Sequence, residues 1–214
     1  MVDLPELKFH LEVRSKFRRE IDVAVRQLRS GGVIAFPTDT LYGLGADLFD
    51  EAALERIFAI KGRPADLALP ALLANREQLA MVTGELPAVG IQLAERFWPG
   101  PLTLVVRKGK RVPDLATGGR STIAVRIPNH RVPLALASKL AGPITGTSAN
   151  LSGGPDLESL EEIEQQLGSQ LEGIIRCGPP PLGIPSTVVD VTSNEAKVLR
   201  EGAIPAREIL EAVS

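Results

Sequence analysis

Cysteine, histidine and aromatic residues are all scarce in this chain. Of its 214 residues one is cysteine, two are histidine, and rings come only from six Phe, one Trp and one Tyr. A lone Cys177 forms no internal disulfide, which favours a reducing, cytoplasmic setting. No Cys/His cluster has zinc-ligand spacing, so no resident metal site is expected. The shortage of rings argues against a stacking platform for single-stranded nucleic acid and leaves the core to Val, Ile, Leu and Ala. No apolar run reaches membrane-spanning length, and the first twenty residues scatter charge among their apolar side chains where a signal peptide would not, so no membrane role is expected. Neither GxxxxGK[ST] nor GxGxxG occurs, which removes the P-loop and the dinucleotide fingerprint. His10 sits in an N-terminal arm and His130 at an expected helix start, leaving a Ser-His-Asp or Cys-His device without a well-placed histidine.

What is present is an ordinary globular composition: 44% hydrophobic residues, 23% charged, and a net charge of −2. That charge argues against a generic nucleic-acid binder. The length suits an N-terminal arm, residues 1–16, followed by one domain, residues 17–214. Apolar spacing and capping residues predict helices near 17–30, 50–61, 75–82, 87–97, 130–141, 157–167 and 205–213. Strands are predicted near 33–36, 69–73, 102–107, 122–127, 143–147, 172–177, 186–192 and 197–200. The interleaving indicates a single α/β domain. Some consecutive strands lack a helix between them, so its sheet should be mixed. Pro179-Pro180-Pro181 reads as a stiff loop, and Arg107-Lys108-Gly109-Lys110-Arg111 as a solvated hairpin turn.

With these devices excluded, any chemistry must run on cations, hydroxyls and backbone amides, a set suited to phosphate and carboxylate groups. Five strand ends or helix ends carry such groups. Pro37-Thr38-Asp39-Thr40-Leu41-Tyr42-Gly43-Leu44-Gly45 offers two hydroxyls, a carboxylate and glycines, although a turn alone would also need glycine. Lys61-Gly62-Arg63 puts two cations at a helix end, where cations also serve to neutralise the helix dipole. The stretch from Thr145 to Pro155 is dense in hydroxyl, amide and glycine groups that could equally be local caps. Period-two alternation puts Arg126 on the face of Thr122 and Ala124, opposite Val125, in a partly buried strand, so it needs a partner, either a substrate carboxylate or a structural Asp or Glu. Ser186 and Arg200 lie on the last two strands.

In this order and spacing the segments GGVIAFPTDTLYGLGADLFD, Lys61-Gly62-Arg63, STIAVRIPNH, GTSANLSG, PSTVVDV and LREGAI resemble the YrdC-like family, whose best-known activity is L-threonylcarbamoyladenylate synthase. The resemblance covers roughly residues 17–205. It implies a twisted mixed sheet with flanking helices around a basic concave cleft, and an adenylation in which threonine, bicarbonate and ATP, with Mg2+, give threonylcarbamoyl-AMP and pyrophosphate. A separate enzyme would then take the product to tRNA. By the same resemblance Lys61, Arg63, Ser148 and Asn150 form the catalytic tetrad. Arg63, Thr122, Ser148, Asp156 and Arg200 would bind ATP, and Thr40, Arg126 and Ser186 would hold threonine. Two positions depart from the family pattern: Leu67 stands where an Asn could touch ATP, and Leu72 where a His could touch threonine. The chain also stops soon after Arg200, so the added domain of longer relatives is not expected. The alternatives are a diverged member using another carbamoyl substrate, and a module that binds double-stranded RNA or tRNA without chemistry.

Overall fold

The computed structural model describes the backbone of residues 4–213 and the side chains of residues 13–213; Met1 to Asp3 and the His10 side chain lie outside the described residues. In chain order the elements are α1 (Leu4–Arg29), β1 (Ile34–Pro37), β2 (Tyr42–Gly45), α2 (Glu51–Lys61), β3 (Ala71–Leu72), α3 (Leu79–Val82), α4 (Ala88–Phe97), β4 (Leu102–Arg107) and α5 (Asp114–Thr117). They continue with β5 (Thr122–Arg126), α6 (Arg131–Leu140), β6 (Ile144–Thr145), β7 (Thr147–Ser148), α7 (Leu160–Leu167), β8 (Gly173–Ile174), β9 (Thr187–Asp190), β10 (Lys197–Arg200) and α8 (Ala206–Glu211).

The expected mixed α/β architecture is present, with its strands in two hydrogen-bonded ladders. One runs β7-β2-β1-β8 and the other β10-β9-β4-β5-β3-β6. The pairs β1/β8, β3/β5 and β4/β9 are parallel, and the remaining pairs antiparallel. A single residue, Gly146, joins β6 in the second ladder to β7 in the first. A Cβ there would fall 2.4 Å from Leu72 Cγ, so only glycine lets the chain cross at this point.

β1 is buried along its whole length, with Ala35 facing the larger core and Ile34 and Phe36 facing a second one beneath α1 and α6. Burial on both faces explains why its sequence is continuously apolar. The second core is completed by Ile21, Val25 and Leu28 of α1 and by Val132 and Leu136 of α6. Residues 13–16 are exposed, and the helix passes through residue 16 without a break, so the expected arm and domain meet inside one helix.

Several boundaries differ from expectation for local reasons. β2 reads as a loop in sequence because half of it is glycine, yet a Cβ at Gly45 would lie 2.5 Å from the Phe36 ring. The cross-strand aromatic ring fills the space a side chain would need. α7 starts late because Ser159 and Glu162 form a reciprocal capping box. α3 keeps only the last turn of the segment expected at 75–82. The basic run opens the connection between the antiparallel neighbours β4 and β5 and is largely exposed, but that connection holds α5 and is longer than a turn, and Arg111 sits 5.0 Å over the Phe49 ring.

Candidate active site

A cavity of about 340 Å3 opens between the two ladders. The first ladder and its loops contribute Thr38, Thr40, Tyr42 and Ser148, and the second contributes Leu72, Thr103, Arg126 and Arg200, with Ser186 just ahead of β9. Arg63 enters from the loop just past α2. That helix is placed by its ends: the Asp50 carboxylate accepts from the Ala53 amide at 3.2 Å, and Gly62 at φ 57° turns the chain so that Lys61 and Arg63 leave in different directions.

Lys61 is 2% exposed. Its ammonium donates to Ser148 O at 2.5 Å, Asn150 O at 2.6 Å and Asn150 Oδ1 at 3.0 Å. An ammonium has three hydrogens, so all are aimed at the loop that follows β7. Burial, and next the neighbouring Arg63, pull the Lys61 pKa down to about 8, against a smaller upward pull from Asp156. The loop is closed further by Ser148 Oγ donating to Asn150 Oδ1 at 2.7 Å and by Asn150 Nδ2 donating to Gly154 O at 2.8 Å. Lys61 and Asn150 thus support the cavity wall from behind, while Ser148 lines it.

Arg126 is 5% exposed and meets the demand for a partner inside the fold. It is ion-paired with Asp39, donates from Nη1 to Thr40 Oγ1 at 2.8 Å and from Nε to Gly100 O at 2.9 Å. Burial lowers its pKa and the Asp39 carboxylate raises it again. Three of five guanidinium hydrogens are engaged, which leaves one on each Nη. The second carboxylate oxygen of Asp39, Oδ2, is buried without a hydrogen-bond partner.

Arg63 is partly buried and Arg200 is exposed at the cavity rim, and desolvation lowers the pKa of each. Arg63 is steadied by Leu67 O at 3.3 Å and Ala68 O at 3.0 Å, and Arg200 by Ser186 O at 2.7 Å. Asp156 is the one carboxylate among the described residues lining the cavity. Three guanidiniums against one lining carboxylate make the cavity electropositive on a chain of net charge −2.

The structure therefore brings Thr40, Arg63, Arg126, Ser148, Asp156, Ser186 and Arg200 to one cavity, with Lys61 and Asn150 behind it. Thr122 is not among the lining residues: it opens β5 opposite Arg107, at the far end of the strand from Arg126. Leu67 does not line the cavity either, and contributes its carbonyl. Leu72 does line it. Thr38, read as a hydroxyl of its strand-end segment, also lines the cavity, and sequence reasoning missed Thr103. Thr103 shares a 2.8 Å hydrogen bond with Ser186 Oγ, and its signal was a hydroxyl inside the apolar run of β4.

Residues 26–202 match the Sua5/YciO/YrdC family, described as telomere recombination. The chain belongs to this family. It is 43% identical to a threonylcarbamoyl-AMP synthase of Pyrococcus abyssi over 93% of its own length and 59% of that protein's. It is 37% identical to a protein of the same name from Vibrio vulnificus, over 83% of the chain and 96% of the relative. Among solved structures, P. abyssi Sua5 complexed with L-threonine superimposes with a TM-score of 0.86 at 44% identity, covering 90% of this chain and 56% of that one. E. coli YciO gives 0.81 at 32% identity, over 90% and 93%. The chain thus spans less than two thirds of the P. abyssi protein and nearly all of the shorter relatives. Membership confirms the resemblance read from the motifs, and the Sua5 and YciO structures share the α/β fold with its mixed strands and flanking helices.

Proposed function

We propose that this Sua5/YciO/YrdC domain is an L-threonylcarbamoyl-AMP synthase, using L-threonine, bicarbonate and ATP. The observation that carries the reading is the set of three guanidiniums, Arg63, Arg126 and Arg200, around one hydroxyl-walled cavity. The names of the relatives and the threonine complex of P. abyssi Sua5 support it.

The threonine amine, once neutral, takes up the carbon of bicarbonate to form a carbamate and release water. A carbamate oxygen then attacks the ATP α-phosphate, and the bond to pyrophosphate breaks. No protein nucleophile is needed. Arg63 and Arg200 face the triphosphate and balance charge as it moves to the leaving group, while Ser148 and the loop amides orient it. Mg2+ enters as the ATP complex, where it neutralises phosphate charge; among the described residues no cluster of three or more His, Cys, Asp or Glu could hold a metal ion. On the amino-acid side the free Nη hydrogens of Arg126 receive the carboxylate, and Thr40 and Ser186 flank it. The product passes to a tRNA-modifying enzyme in the cytoplasm. Among the described residues no helix is long and apolar enough to cross a membrane.

Pyrophosphate release is the test. It should require threonine, bicarbonate and ATP together, and its absence with all three at saturation would refute the reading. A second reading, a diverged amino-acid or carbamoyl substrate, draws on Leu72, an apolar side chain in the cavity wall. Release with a different amino acid in preference to threonine would establish it.

A further inference from the structure

Between β8 and β9 the chain runs as a strap, residues 178–185, that borders the cavity and ends at Ser186. Four of its eight residues are proline, at 179, 180, 181 and 185, so it has few amide hydrogens with which to fasten itself. Three hydrogen bonds hold it to the body. Gly183 N donates to Thr40 O at 2.9 Å, Pro185 O accepts from Ala203 N at 2.9 Å, and Pro179 O meets His130 Nε2 at 3.2 Å. Pro185 itself lines the cavity beside Ser186.

His130 is 4% exposed and caps α6: its Nδ1 accepts from the Val132 amide at 3.2 Å. A ring nitrogen that accepts carries no hydrogen, so the neutral ring bears its hydrogen on Nε2, which donates to Pro179 O. The strap turns against this ring at Gly178, φ 115°, where a Cβ would lie 2.9 Å from His130 Cε1.

We infer that His130 is a positioning residue for the amino-acid side of the cavity: as a neutral imidazole it joins the start of α6 to the proline strap at Pro179, and the strap meets Thr40 through Gly183 and leads directly into Ser186. The inference rests on the proposed synthase reading for which ligand is affected, and on hydrogen bonds alone for the strap itself. Protonation would place a hydrogen on Nδ1, facing the Val132 amide, and remove the cap. Burial lowers the His130 pKa from 6.5, with a further downward pull from Arg131 on α6 and upward pulls from Pro179 O and from Asp39 on the β1–β2 loop. From α1, Glu20 accepts from the amides of Arg176 and Cys177, just ahead of the strap. A group whose folded pKa is depressed contributes its stability above the unfolded value, and that contribution fades as pH falls from 6.5 through the folded value. Threonine affinity should therefore weaken on the acid side while ATP affinity holds.

Two variants separate the two nitrogens. His130→Asn retains a cap acceptor for Val132 but is too short for Pro179, whereas His130→Gln reaches Pro179 with an amide that does not titrate. In pyrophosphate release at pH 7.5, His130→Asn should raise the threonine KM about five- to tenfold with the ATP KM within about twofold. His130→Gln should stay within about threefold of the unaltered protein for threonine. Both should lose the acid-side weakening of threonine affinity. Hydrogen exchange read without substrate should show the Gly183 amide exchanging faster in His130→Asn and not in His130→Gln. Unchanged Gly183 exchange in His130→Asn overturns the strap, and equal rises in both KM values overturn the positioning role. If exchange responds as expected but the unaltered protein releases no pyrophosphate with threonine, the strap stands and the synthase reading fails.

Discussion

Lys61 shows how much a single side chain can decide without facing solvent. Its three bonds to Ser148 and Asn150 shape the loop whose hydroxyl lines the cavity. On losing a proton the amine has two hydrogens for three acceptors, so the loop slackens and pyrophosphate release should fall with a midpoint about pH 8. Folding stability should move the opposite way. The folded lysine sheds its proton near 8 and the unfolded one only near its ordinary 10.5, so this group makes the fold more stable across that window. Alkaline loss of turnover with an undiminished melting temperature is the expected pair of results, read by activity and calorimetry. Arg63 and Arg200 make different contacts, to main-chain oxygens beside the cavity, and neither is buried as Lys61 is. Alanine at either should lower turnover at least about tenfold and leave circular dichroism unchanged. The sequence identified these cations through motif order but not the partner of Arg126. Asp39 lies 87 residues away in the chain, in the β1–β2 loop of the first ladder, and only the packing of that ladder against the second, which holds β5, brings the two together.

Among elements, the longer periodic ones were legible in place and extent, whereas β3, β6 and β8 were expected in place but longer than they are, and β2, β7 as a separate strand and α5 were not read. α2, α4, α6, β4 and β5 carry enough apolar spacing to declare themselves, and each was expected within a few residues of its place. β3, β6, β7 and β8 are two residues long and owe their strand geometry to neighbours far off in sequence. β2 was hidden by glycines that make sense only beside the Phe36 ring. The crossing at Gly146 is of the same kind, and its tightness is testable. Gly146→Ala should destabilise the fold by about 1–3 kcal/mol and reduce turnover, because the added methyl meets the buried Leu72 side chain. Combining it with Leu72→Ala should recover part of that loss, giving a coupling of about 1 kcal/mol in a denaturation cycle. Independent, additive losses would show that Leu72 is not what the methyl strikes. Ser159→Ala, which removes the exposed capping box of α7, should cost about 1 kcal/mol of stability and leave turnover unchanged.

For the molecule as a whole, cationic groups concentrated in one concavity and a net charge of −2 divide small anions from large ones. ATP can enter the cavity and feel its guanidiniums at close range, whereas a duplex must also meet an outer surface that holds most of the acids. The ATP KM should rise several-fold between about 0.05 and 0.5 M salt. Double-stranded RNA should not be retained in a filter-binding assay at about 0.15 M salt. Retention with the salt slope of several phosphate contacts would favour the RNA-module alternative.

The cavity takes its walls from both ladders, and its cations from the loop after α2, β5 and β10. On the ribosome these arrive in that order, and Arg200 leaves the exit tunnel well after Arg63. Until β10 has settled on β9, an emerging chain lacks one of the three guanidiniums and the contact that steadies Ser186. On the proposed reading, a nascent polypeptide can fold much of its core yet has no complete place for nucleotide, so newly made protein should sequester no ATP before β10 is in the sheet.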